Sequence, residues 1–531
     1  MFLDGGWRDD CRTWIRACNP SHTAGRRRSS QYRQRTLVLC FDGTGEECNP
    51  DNSNVVNLVA MLKKHDINEQ LVYYQPGLGT YTNSVVRAFG LTSADELLDQ
   101  MIAIHLATHI KAGYKFLMQN YTKGDKICIF GFSRGAYTAR ALAGMVQKVG
   151  LLTPCNYQQV QFAYELFKKT DKDSLDVCDT FRRTFCRTVS VELLGVWDTV
   201  ASVGAIPQYL PFVSEDDGIR YLRHALSLDE CRVKFLPTFC VDPRANEKEA
   251  ATNASSGGMP ITPEKEAEDK INAAGKVKTD VLQVWFAGAH ADVGGGAESN
   301  STKHSLARIP LRWMIRECFA CNTGIIFDAI MLQQLGIDVD LENDTVRPQT
   351  KRRTQNQRLA VSARNSDGEY KCLSDVNEAK EELDDAVTPA NEQVYLHWYW
   401  ILMEWIPWRI MRNRAIVNET NDLMSYEWNR GRGREIHKSV VLDGLKVHRS
   451  VKTRLEATML KGGVYVPHAR PHFPASGNTL KTQPRRLTHE EWNKEDPEHW
   501  EWVDDWSPRP MSESLTVKGI HLQLPKADAT L

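Results

Sequence analysis

The pentapeptide Gly131-Phe132-Ser133-Arg134-Gly135 sits between an apolar run, Lys126-Ile127-Cys128-Ile129-Phe130, and an alanine-rich stretch from Ala136 to Val149. A strand that turns sharply into a helix projects a serine hydroxyl from the sheet edge. The crowding at such a turn demands glycine on both sides. Gly131 and Gly135 meet that demand, so Ser133 is the candidate nucleophile. The alternative is a glycine-rich structural turn with a bystander serine, because so short a pattern also arises by chance. The strand before it and the helix after it are the context that favours the nucleophile.

Serine at its free pKa is a weak nucleophile and needs a base, with a carboxylate to orient that base. In the α/β-hydrolase arrangement these partners follow on later strand ends, in the order Ser, Asp, His. His290 stands just after the apolar run Val281 to Phe286, with Gly294-Gly295-Gly296 close behind. Any one of 15 histidines is more often a surface or core residue, and His224, His304, His437 and His448 are weaker rivals. Strand-end placement singles out His290. Asp198 closes the run Val191 to Val196 and is the candidate orienter, an N-cap or loop carboxylate being the alternative. Asp292, two residues from His290, is awkwardly placed to orient that ring and is a candidate accessory group.

A tetrahedral oxyanion needs two preorganised donors. One is the backbone N–H of Arg134, directly after the nucleophile. The other is expected from the glycine-bearing loop Asp42-Gly43-Thr44, at Gly43 or Thr44. Asp42 would then hold that loop by side-chain hydrogen bonds. The run Phe41-Asp42-Gly43-Thr44 also resembles haloacid-dehalogenase phosphatases, whose nucleophile is an Asp two residues earlier. Cys40 occupies that position here, which rules the resemblance out.

These residues require a sheet to place them. Thr36 to Phe41, Leu71 to Tyr74, Lys126 to Phe130, Val191 to Val196 and Val281 to Phe286 are short apolar runs that predict buried parallel strands, and a further strand is expected near Phe235 to Cys240. Helical spacing covers Asn54 to Lys64, about Ala94 to Tyr121, Ala136 to Val149 and about Ser305 to Arg316. Strands alternating with helices give an α/β fold: an α/β-hydrolase-like, mostly parallel sheet with helices on both faces, long insertions and a helical C-terminal elaboration. The expected division is a loose tail at 1–33, a catalytic domain at 34–340 with a disordered or lid-like insertion at 242–279, a charged insertion at 341–393, and an elaboration at 394–531 that packs back onto the catalytic domain.

With 66 Lys and Arg against 67 Asp and Glu, the chain has no charge excess that argues for nucleic acid as a partner. Its 13 cysteines are spread along the sequence, and Cys40 and Cys128 fall inside strand runs, which suits buried thiols in a reducing compartment. Cys318 and Cys321 form one CxxC without a second pair, so they are read as structural rather than as a zinc site. Trp7, Arg8, Asp9 and Asp10 stand where a secretory signal would need apolar residues, and no window is apolar enough for a membrane span. The expected location is cytoplasmic. The aromatic stretch from Val394 to Trp408 is read as core or as a substrate-facing lid.

Five blocks occur in order. They are Leu39 to Gly45 with Asn54-Val55-Val56, Tyr74 to Thr80, Phe130 to Arg140, Gly195 to Val200, and Trp285 to Gly296. Together they resemble the α/β-hydrolase domain of bacterial type VI secretion phospholipase effectors, a domain also widespread in fungal proteins of unknown function. The resemblance covers roughly residues 34–320. It implies a Ser–Asp–His hydrolase acting on phospholipid carboxylic esters, with Ser133 and His290 in the family's positions and Asp198 chosen as the carboxylate. Val447 to Val451 and Tyr465 to Arg470 look like the family's tail. Nothing in the chain looks like secretion machinery, and the long insertions suit a cytosolic eukaryotic protein better than an effector.

The expected activity is therefore a serine esterase on a small-molecule or lipid ester, through an acyl-enzyme, with no cofactor or metal and with transient contact to a membrane surface. Two other readings compete. One is a metal-assisted phosphoesterase built on Asp42, Asp198, His290 and Asp292, all at predicted carboxyl ends of strands. The other is a non-catalytic protein of the same fold that binds a partner through its insertions. The oligomeric state is open.

Overall fold

The computed structural model describes residues 14–16, 34–43, 49–77, 94–169, 171–200, 218–232, 235–238, 279–340, 345–346, 361–364, 370–373, 378–391, 408–411, 424–427, 429–436, 445–457, 463–471, 485–494, 497 and 500–504. Its centre is a sheet of eight strands: β1 (Thr36–Phe41), β2 (Gln70–Gln75), β3 (Lys126–Phe132), β4 (Val191–Trp197), β5 (Ile219–Ser227), β6 (Asp280–Phe286), β7 (Leu445–His448) and β8 (Trp500–Val503). Their order across the sheet is β8-β7-β6-β5-β4-β3-β1-β2, and every neighbouring pair is parallel. The chain lays β2 on one side of β1 and β3 on the other, so the direction of winding switches beside β1. In open parallel sheets the crevice outside the carboxyl ends at such a switch is where ligands bind.

The two faces of the sheet are set by alternation along each strand. In β1, Leu37, Leu39 and Phe41 enter one apolar core while Val38 and Cys40 enter the other. The first core is closed by α2 (Ala94–Asn120), α3 (Ser133–Val149), α4 (Val160–Lys168) and α5 (Lys172–Phe185) through residues such as Ile110, Leu117, Leu142 and Phe167. The second is closed by α1 (Asn54–Met61) and by α7 (Arg308–Ala320), which follows the short α6 (His290–Gly294), through Leu58, Trp313 and Ile315. Because both faces are covered, the strands read as near-continuous apolar runs. The Cys40, Cys128, Cys318 and Cys321 thiols are buried in this interior, and burial pushes the first three upward.

One expected strand is misplaced. No strand covers Phe235 to Cys240 among the described residues there; Pro237 makes only an isolated bridge to Val200. The strand that fills this place in the sheet is β5. Its apolar run is interrupted by Arg223 and His224, which hides it from a reading based on continuous hydrophobicity. Both are buried with partners: Arg223 pairs with Glu317 and with Asp280 at 3.0 Å, and His224 Nδ1 lies 3.2 Å from Gln283 Oε1. Burial pushes the His224 ring down to about 3, so it is neutral inside the protein.

The described C-terminal residues carry α9 (Arg449–Glu456), which follows α8 (Glu378–Ala386), and the short helix His489–Trp492; they also add β7 and β8 to the sheet. A third apolar cluster, with Trp285, Val447, Leu455, Trp492 and Trp500, joins these elements to β6. Residues 14–16 of the predicted tail pair antiparallel with Ile326–Asp328. The rest of that tail, the insertion at 242–278 and the aromatic stretch at 394–407 lie outside the described residues. Among the described residues no helix is long and apolar enough to cross a membrane.

Candidate active site

Ser133 opens α3 directly after β3 and has φ +55°. A non-glycine residue at positive φ carries about 1–3 kcal/mol of strain, which the surrounding structure must hold in place. The flanking glycines show how. A Cβ on Gly135 would lie 2.3 Å from the carbonyl oxygens of Phe41 and Asp42, and one on Gly131 would lie 2.5 Å from the Gly135 carbonyl. The turn is thus pressed against the end of β1, and only glycine fits on either side of the serine.

His290 is the first residue of α6, just past the end of β6. Its Nε2 lies 2.8 Å from Ser133 Oγ and its Nδ1 lies 2.6 Å from Asp198 Oδ2. A proton on Nδ1 donated to the carboxylate leaves the Nε2 lone pair facing the serine hydroxyl. The ring sits between aromatic neighbours: Phe132 at 4.7 Å and Phe235, edge-on, at 4.8 Å between centroids. Its backbone N–H donates to Glu230 Oε2 at 3.2 Å, and Arg232 holds that carboxylate through Nε at 2.9 Å and Nη2 at 2.8 Å. Burial pushes the imidazole below its ordinary value, against the pull of Asp198.

Asp198 follows β4 with φ +41° and is fully buried. Burial works against its charge, but the guanidinium of Arg434 and the hydrogen bond from His290 outweigh it and hold the carboxyl well below the usual range. Arg434 Nη1 donates to Oδ1 at 2.6 Å and Nη2 to Oδ2 at 2.8 Å, and the Ser227 N–H donates to Oδ1 at 3.0 Å. Ser227, at the end of the unexpected β5, and Arg434 both escaped sequence reasoning. The signal for Ser227 was its strand. Arg434 lies in a loop and had none beyond its charge.

The remaining predicted residues divide. The Arg134 N–H is in the first turn of α3, where helix N–H groups have no intrahelical acceptor, so it is available beside Ser133. The Gly43 N–H is not: it donates to Asp42 Oδ1 at 2.8 Å, because the buried carboxylate needs that donor. Gly43 is therefore withdrawn as the second oxyanion donor, and Thr44 lies outside the described residues. Asp42 also accepts from Ser53 Oγ at 2.7 Å and from Tyr74 OH at 2.8 Å, so it holds the loop after β1. Asp292 accepts from the N–H groups of Ala289 and Asn391, both at 2.9 Å, and from Asn391 Nδ2 at 3.0 Å; burial pushes it up to about 6. Asp42 and Asp292 therefore serve hydrogen-bond networks separate from that of the Asp198–His290 pair, and the four do not converge as one ligand set. No group of three or more His, Cys, Asp or Glu among the described residues is arranged to hold a metal ion.

With this geometry in view, the family model of the T6SS phospholipase effector Tle1-like catalytic domain matches residues 35–317. The chain belongs to that family. The matched span runs from β1 through α7, and so includes Ser133, Asp198 and His290 but not Arg434. A Tle1-like catalytic domain is one of lipase- and esterase-like hydrolases. The uncharacterized protein YEL023C of Saccharomyces cerevisiae is 27% identical over 428 residues, with 61% of each chain covered. The chain thus spans about three-fifths of the length of that curated relative. Among solved structures, an uncharacterized protein from Pseudomonas aeruginosa is 18% identical with a TM-score of 0.29, covering 59% of this chain and 48% of that one. The Tle1 effector bound to the VgrG spike of the type 6 secretion system is 16% identical with a TM-score of 0.24, covering 55% and 58%.

Proposed function

We propose that the chain is a serine hydrolase of carboxylic esters, with lipid or phospholipid esters as its substrates. The observation that carries this is the relay from Ser133 Oγ through His290 to Asp198, with steps of 2.8 Å and 2.6 Å. Ser133 Oγ attacks the ester carbonyl while His290 Nε2 takes the hydroxyl proton, and Asp198 stabilises the imidazolium that forms. The Arg134 N–H donates to the developing oxyanion, and we assign the second donor to Thr44. Collapse of the tetrahedral intermediate passes the proton to the leaving alcohol and leaves an acyl-serine. Water, deprotonated by the same histidine, then releases the acid and restores the hydroxyl.

The lipid class rests on membership of a phospholipase family rather than on the site itself, whose reach stops at the ester carbonyl. The test is turnover of short-chain esters and of phospholipid in vesicles by the wild type and by Ser133→Ala. Turnover of both that falls by about 10⁴-fold or more in the variant supports the proposal. A wild type inactive on every ester, or an unimpaired variant, contradicts it.

A further inference from the structure

Asp198 needs more than a partner for its charge; it needs a fixed plane. The terminal torsion of an aspartate is broad and roughly two-fold, so one hydrogen bond to His290 would let the carboxylate rock. The Arg434 guanidinium grips both oxygens, Nη1 to Oδ1 at 2.6 Å and Nη2 to Oδ2 at 2.8 Å. Such a fork fixes orientation as well as charge. The guanidinium is anchored in turn: Nη1 donates to Ser227 Oγ at 2.8 Å, and Nε and Nη2 donate to the Phe235 carbonyl at 3.1 Å and 2.5 Å. One side chain therefore ties together the carboxylate, the end of β5, and the residue whose ring packs edge-on against His290.

The segment that delivers Arg434 is itself pinned. The Arg470 N–H donates to the Arg434 carbonyl at 2.8 Å, and Arg470 Nε donates to the Gly433 carbonyl at 2.9 Å. A Cβ at Gly433 would lie 1.9 Å from the His468 carbonyl oxygen, so the two segments touch backbone to backbone. Asn429 Nδ2 reaches the Cys231 carbonyl at 2.6 Å, which fixes the other end to the loop after β5.

We propose that Arg434 is a positioning residue for the Asp198–His290 pair, so that residues 429–436, pinned by residues 468–470 and outside the family-matched span, complete the catalytic centre. This rests on the serine-hydrolase reading of that centre. With Arg434 in place, the buried carboxylate stays ionised and its field at the imidazole is partly offset. Burial lowers the affinity of the ring for a second proton, and the Arg434 charge acts in the same direction. Without Arg434, burial favours protonation of Asp198, and any Asp198 that stays ionised pulls the ring's proton affinity up. Both changes move the loss of activity to higher pH.

The test uses the full-length chain with Arg434→Ala and Arg434→Lys. Arg434→Ala is expected to lower kcat about 100-fold, the scale of a misplaced catalytic group, with KM little changed. Its acid limb of kcat/KM should move upward, and millimolar methylguanidinium, which fits the space left, should restore turnover. A loss with an unchanged pH profile and no response to methylguanidinium overturns the proposal. If Arg434→Ala folds poorly, Arg434→Lys decides. It keeps the charge without the fork, so turnover should fall while the acid limb stays; undiminished turnover overturns the fork. The far-downfield proton resonance of the His290 Nδ1–Asp198 hydrogen bond separates this proposal from the hydrolase reading. If the wild type hydrolyses no ester, the hydrolase reading fails. A resonance seen in the wild type and lost in Arg434→Lys would still support positioning, and one unaltered by the substitution would end it.

Discussion

Gly294 lies so close to the ring of Phe132 that a Cβ added to it would come within 1.8 Å of Phe132 Cε2. Phe132 in turn packs on His290 with ring centroids 4.7 Å apart. The second glycine-rich block therefore acts on the histidine through an aromatic ring. Gly294→Ala is expected to destabilise the fold by about 1–3 kcal/mol, the usual cost of overpacking. By displacing Phe132 it should also slow reaction of Ser133. Thermal melts and the rate of active-site labelling check both parts. A labelling rate equal to that of the wild type would show that the ring does not hold the imidazole.

The pH profile follows from the state of His290. The base is the neutral ring, so activity is present above the folded-state pKa and is lost as pH falls through it. Burial sets that pKa below the ordinary value of about 6.5. The acid limb of kcat/KM should accordingly lie below pH ~6.5. Arg232 contributes to the lowering, and its guanidinium lies over the Phe235 ring at 3.6 Å. Arg232→Gln should move the limb upward, measured as kcat/KM against pH on a soluble ester. A limb that moves down contradicts this electrostatic account.

Asp292 predicts a pH dependence of stability. Its folded-state pKa of about 6 lies above its ordinary value of 3.8, so between them the folded state holds the extra proton. Its contribution to stability falls as pH rises across that window and is level above it. Asp292→Asn removes this dependence. The stability of the wild type relative to the variant, from denaturant midpoints, should therefore fall between pH ~4 and ~6. A difference that rises with pH would mean that the Ala289 and Asn391 donors outweigh burial.

Chelation separates the serine route from the metal-assisted one. Asp42 and Asp292 are already engaged by protein donors, and Asp198 is held by Arg434. Ester turnover should therefore be unchanged after dialysis against EDTA. Loss of activity that returns with a divalent cation would revive the phosphoesterase reading.

The strand ends that carry Ser133, Asp198 and His290 were legible in the sequence because parallel strands buried on both faces announce themselves as apolar runs. β5 was not, since Arg223 and His224 sit in its middle, and their partners Glu317, Asp280 and Gln283 are remote in sequence. β7 and β8 were missed for another reason. Each is four residues long and is recognisable only once Trp285, Trp492 and Trp500 are seen to share one cluster. Gly43 was a reasonable donor from loop chemistry, but the needs of the buried Asp42 carboxylate took its N–H. Arg434 could not be singled out, because what distinguishes it is a fork onto a residue 236 positions away.

The most direct measurement is labelling of the full-length chain with a fluorophosphonate, followed by mass mapping of the modified peptide. The relay from Asp198 to Ser133 predicts one phosphonylated residue, Ser133, in the wild type, and none in Ser133→Ala or in His290→Gln. Labelling at another serine, or labelling that persists in Ser133→Ala, would contradict the account.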